Sequence, residues 1–119
     1  IHDALKRRCL YHWVDYPDAA RELDILRLKA PQASARLSAE VVSFVQSLRS
    51  LDLYKNPGVA ETIDWATALT QLDALALDHQ VVNDTLGALL KYQDDIARVQ
   101  GSEAARILDE IRAAARAAQ

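Results

Sequence analysis

Ser38-Ala39-Glu40-Val41-Val42-Ser43-Phe44-Val45-Gln46-Ser47-Leu48 is the stretch on which the fold class turns. Val41, Val42, Val45 and Leu48 fall at i, i+1, i+4 and i+7, a spacing that gathers apolar side chains on one face of an α-helix. Ser38 reads as its N-cap, because a short hydroxyl side chain can accept a hydrogen bond from the first turn. The same logic extends outward. Upstream, Pro17-Asp18-Ala19-Ala20 starts a helix carrying Leu23, Leu26 and Ala30 until Pro31 stops it. Downstream, Leu53-Tyr54-Lys55-Asn56-Pro57-Gly58 reads as a loop, since Asn-Pro-Gly disfavours both helix and strand. A third helix is predicted over about Ala60 to Leu75, burying Ile63, Ala66, Leu69 and Leu72.

Asp78 caps a fourth helix, whose stripe is Val81, Val82, Leu86, Leu89 and Leu90, with Gly87 offering room for a close helix contact. Its continuation through Tyr92 and Ile96, unbroken or bent near Lys91, ends at Gly101-Ser102. A last helix begins at Ser102-Glu103 and carries Ile107, Leu108 and Ile111, while Ala113-Ala114-Ala115 has too few large apolar groups to hold a core and is expected to fray. One segment departs from this pattern. Cys9-Leu10-Tyr11-His12-Trp13-Val14-Asp15-Tyr16 has β character, with Leu10, His12, Val14 and Tyr16 on one face and Tyr11, Trp13 and Asp15 on the other. One strand cannot form a sheet, so it belongs to a sheet whose other members lie elsewhere, or pairs with a second copy.

The composition agrees with a mainly α chain. Half of the 119 residues are hydrophobic, enough for one modest core, and Gly and Pro number three each, too few for the turns of a multi-stranded sheet. A net charge of −3 and a pI near 5.5 provide no long-range attraction to nucleic acid or to anionic membranes. The lone Cys9 excludes an internal disulfide and a multi-Cys zinc site. No apolar run approaches the roughly 20 residues needed to cross a bilayer, and a cytoplasmic location is expected. There is no methionine, position 1 included, so a segment upstream of Ile1 is expected to be missing.

A self-contained active site is not expected, because the chain has no Gly-rich phosphate loop, no Cys or His cluster with metal spacing and no partnered nucleophile. His2, His12 and His79 are far apart and read as isolated histidines. Glu61, Asp64, Asp94 and Asp95 read as solvated acids on helix faces rather than as an acid and base pair. Lys6-Arg7-Arg8 stands immediately before the apolar strand, where a guanidinium at a sheet edge can reach a phosphate on a neighbouring subunit. By spacing alone, an ordinary solvated basic turn is the plainer reading.

Three blocks together give the chain a resemblance. Residues 4–18, from Ala4-Leu5-Lys6-Arg7-Arg8-Cys9 to Tyr16-Pro17-Asp18, resemble the final core segment of MoxR-type AAA+ ATPases, and more specifically the CoxD-like branch. Gly58-Val59-Ala60-Glu61-Thr62-Ile63-Asp64-Trp65-Ala66 and Asp84-Thr85-Leu86-Gly87-Ala88-Leu89-Leu90-Lys91-Tyr92-Gln93-Asp94-Asp95-Ile96 follow in the same order, so the resemblance covers about residues 3 to 99.

The resemblance implies a helical bundle, the lid of an AAA+ ATPase, with one orphan N-terminal strand. Residues 1–16 would end the core, 17–100 would form the lid, and 101–119 a C-terminal helix or tail. The phosphate loop and magnesium-binding acids would lie before Ile1, so ATP and magnesium belong to the parent protein and the chain alone is not an enzyme. The family's arginine finger falls on Arg8, with Arg7 in reserve, and Val59 and Ile63 become candidate nucleotide neighbours. Ala60, Glu61 and Thr62 stand where many AAA+ lids carry a phosphate-sensing arginine, and Glu61 and Thr62 read as residues that cap and solvate the helix start. The implied partners are the chain's own core, neighbouring subunits of a hexamer and a von Willebrand factor A protein, in chaperone-like or metal-cofactor maturation work. The alternative is a free-standing helical interaction module with an apolar groove. Such a module has no reason to carry residues 6–16.

Overall fold

The computed structural model describes residues 16–117, so Arg7, Arg8 and all of the predicted strand except Tyr16 lie outside the described residues. Helix α1 spans Ala19–Lys29, and Asp18 caps it by accepting the Arg21 N–H at 2.8 Å. Helix α2 spans Ala35–Leu48. Its N-cap is Ser34, whose hydroxyl accepts the Leu37 N–H at 3.0 Å, whereas the predicted cap, Ser38, is buried inside the helix. Ser34 holds the extended backbone that a cap requires, so the helix starts four residues early.

Helix α3 spans Val59–Gln71, ending short of the predicted Leu75 because Asp73 adopts a φ of 60° that no helix continues through. Leu72 is consequently 59% exposed instead of buried. Helix α4 spans His79–Leu89 and is capped by Asp78 as predicted, through the Val81 N–H at 2.8 Å. At Leu90 the backbone becomes extended, so the chain breaks before α5, Gln93–Arg98. An irregular turn through Gly101, with φ 84°, leads into α6, Ala104–Ala117. That helix continues through the alanines predicted to fray, with their side chains exposed.

The core gathers the predicted stripes. Val42, Val45, Leu69, Leu86 and Leu89 are buried together with Leu26, Val41, Leu48, Ile107 and Leu108, and Ile63 is half-buried at the margin. Burying each such side chain contributes about 1.5–3 kcal/mol. Trp65, fully buried, packs against Phe44 at a centroid distance of 5.2 Å and donates its indole N–H to Thr85 Oγ1 at 2.7 Å. Gly87 is exposed, and a Cβ there would meet nothing within 4 Å, so it makes no close helix contact. Among the described residues no helix is long and apolar enough to cross a membrane.

Candidate functional site

Glu22 lies one turn before Leu26 on the inward face of α1, so the helix aims a carboxylate into the bundle. It is fully buried. Arg49 donates from Nη1 to Oε1 at 2.8 Å and from Nη2 to Oε2 at 2.7 Å, a bidentate pair. Gln46 donates to Oε1 at 2.9 Å and the Thr62 hydroxyl to Oε2 at 2.9 Å. Arg49, at the end of α2, also donates its Nε–H to the Pro57 carbonyl at 2.8 Å, and its guanidinium lies 4.3 Å from the centre of the Tyr16 ring. Gln46 reaches the Pro17 carbonyl at 3.3 Å.

One carboxylate and its partners therefore tie together the residues before α1, the end of α2, the loop before α3 and the first turn of α3. Such a buried pair adds little net stability over an apolar replacement, but it fixes geometry, because a displaced element leaves a charge unpaired in a low dielectric. Thr62 is thus a buried partner of Glu22 and not a solvated residue of the helix start. Glu61 does cap that helix, accepting the Gly58 N–H at 3.0 Å.

Val59 and Ile63 stand four residues apart on α3, on either side of Thr62 in sequence, and both are half-buried. Residues 58–62 contain no cation, Glu61 adds a carboxylate, and Arg49 is engaged by Glu22.

The acids separate by environment. Asp95 is only 2% exposed and accepts the Tyr54 and Lys55 N–H groups at 2.9 and 3.1 Å, so it pins the loop before α3 instead of facing water as predicted. Arg98 holds the same loop by donating to the Asp52 carbonyl. Asp64 and Asp94 are exposed. On α6, hydrogen bonds from Arg106 to Glu103 and Glu110 raise its already high pKa, leaving its charge unchanged at any physiological pH. Among the described residues, no group of His, Cys, Asp and Glu is placed to hold a metal ion.

An open groove of about 890 Å³ runs between α2 and α6, with Ala39, Ser43, Ile111 and Ala115 on its walls and Arg36 and Arg116 at its rim. Sequence reading missed Glu22 and Arg49, which lie 27 residues apart and meet only when α1 packs on α2. Compared with protein-family profiles, characterised proteins and solved structures, the chain matches none.

Proposed function

We propose that the chain is the helical lid of a MoxR-type AAA+ ATPase of the CoxD-like branch, whose parent couples ATP hydrolysis to chaperone-like or metal-cofactor maturation work. The observation that carries this reading is the clamp at the point of chain entry. Tyr16 and Pro17 are held by Arg49 and Gln46, the same side chains that bind Glu22, and Glu22 in turn holds Thr62 on α3. On this proposal a displacement of Tyr16 and Pro17 would be passed through Arg49, Gln46 and Glu22 to the start of α3, as a lid that closes by rigid-body rotation requires.

In this reading Val59 and Ile63 cover the base of a nucleotide, while phosphates and magnesium are held by the upstream core. Arg8 serves a neighbouring subunit as the arginine finger, with Arg7 in reserve, and a von Willebrand factor A protein is the expected partner. Hydrogen exchange in the longer parent protein tests it. Adding ATP with magnesium should slow exchange severalfold over residues 59–66, and unchanged exchange there would remove nucleotide contact from this end of the lid. The α2–α6 groove favours a second reading, a free-standing interaction module. A parent sequence with no phosphate loop upstream of Ile1 would select that one.

A further inference from the structure

Helix α1 is joined to the bundle differently from the other long helices. Leu26 is the only large apolar side chain that it buries fully, Leu23 and Ile25 are half-buried, and Leu28 is 80% exposed. By contrast α2 buries Leu37, Val41, Val42, Phe44, Val45 and Leu48. The other fully buried side chain of α1 is Glu22, whose bonds with Arg49, Gln46 and Thr62 supply the rest of the hold. An apolar side chain loses its favourable burial when it is released, whereas a buried ion pair regains its hydration, so the polar contacts resist opening less than apolar ones of the same size.

The rest of the bundle closes without α1. Helix α1 packs chiefly on α2 and α3, while α2, α3, α4 and α6 form a ring of packed neighbours, each contributing to the centre through Phe44, Trp65, Leu86 and Ile107. A detached α1, 11 residues long, is shorter than the roughly 12–15 residues at which a helix is marginal in water. We infer that α1 is a releasable strap, which leaves the bundle and melts as one unit while α2 to α6 stay folded. Opening hydrates Glu22 and Arg49 together. It uncovers the sides of α2 and α3 that carry the buried Val42, one turn before Gln46, and Ala66, one turn after Thr62. Because Gln46 and Arg49 also hold Pro17 and Tyr16, the residues leading into α1 set how firmly the strap is closed. The inference rests on the packing of α1 and not on the ATPase reading.

Native-state hydrogen exchange of the full chain across low urea concentrations, read by NMR, tests it. The amides of Leu26, Arg27 and Ala30 should share one opening, at least about tenfold more populated than that of Val45, Leu69 and Leu86 and less dependent on urea, because it exposes less surface. Ile107→Val, a mild change at a fully buried position in α6, should speed exchange at Leu69 and Leu86 about threefold and leave α1 unchanged, since the open state keeps α6 packed. Three results would overturn the proposal: α1 amides with the urea dependence of the core, rates graded inward from the helix ends as in simple fraying, or α1 accelerated in step with Leu86 by Ile107→Val.

Discussion

Arg49→Met removes both arms of the bidentate pair and leaves the Glu22 carboxylate, at 0% exposure, with only Gln46 and Thr62 as donors. Breaking a buried ion pair from one side costs about 3–5 kcal/mol, because the remaining charge must stay in a low-dielectric interior without its partner. Loss of the Nε–H donor to Pro57 and of the cation above Tyr16 adds to the strain at the same junction. A domain of this size is stable by about 5–15 kcal/mol, so the variant should lose a large share of its stability. The double substitution Glu22→Leu with Arg49→Met removes both charges and should recover most of the loss, giving a coupling of about 2 kcal/mol or more. Urea unfolding followed by far-ultraviolet circular dichroism and by tryptophan fluorescence measures all three free energies. A cost below about 1 kcal/mol for Arg49→Met, or a double variant as unstable as the single one, would refute the reasoning.

Asp95→Ala should cost about 1–3 kcal/mol and raise amide exchange at Tyr54 and Lys55, whose N–H groups it accepts; unchanged protection there would dismiss its pinning role. Calorimetric titration of the isolated chain with ATP and magnesium should show weak binding or none, given the missing cations at the start of α3. A dissociation constant in the low micromolar range, about −8 kcal/mol, would reveal a complete site elsewhere on the chain.

The helices of the central core were readable because α2 and α4 each bury a mostly apolar face, and Asp78 lies shortly before its stripe. What escaped was decided by contacts between elements. Ser34 and Ser38 are equivalent by residue type, and only the turn after Pro31 selects the first as cap. Leu72 continues the α3 stripe, yet the left-handed turn at Asp73 carries it out of the core. Glu22, Arg49 and Thr62 are separated by up to 40 residues and meet only when α1, α2 and α3 pack, so no local spacing announces them. Asp95 differs from its neighbour Asp94 solely in facing the loop before α3. Val59 and Ile63 follow α3 periodicity, and the folded bundle sets them beside the clamp.

The proposal that this chain is a lid following the arginine finger of an AAA+ core is tested most directly by ATP turnover of Arg8→Ala in the longer parent protein, beside Arg7→Ala. A guanidinium at a transferring phosphoryl group contributes about 10³ to 10⁵ in rate, so even a partial role should exceed tenfold, with folding and ATP binding preserved. Arg7, pointing to the other face of an extended strand, should matter less. Turnover lost for Arg8→Ala and largely kept for Arg7→Ala is the expected result. Equal, small effects of the two substitutions, with assembly intact, would contradict it.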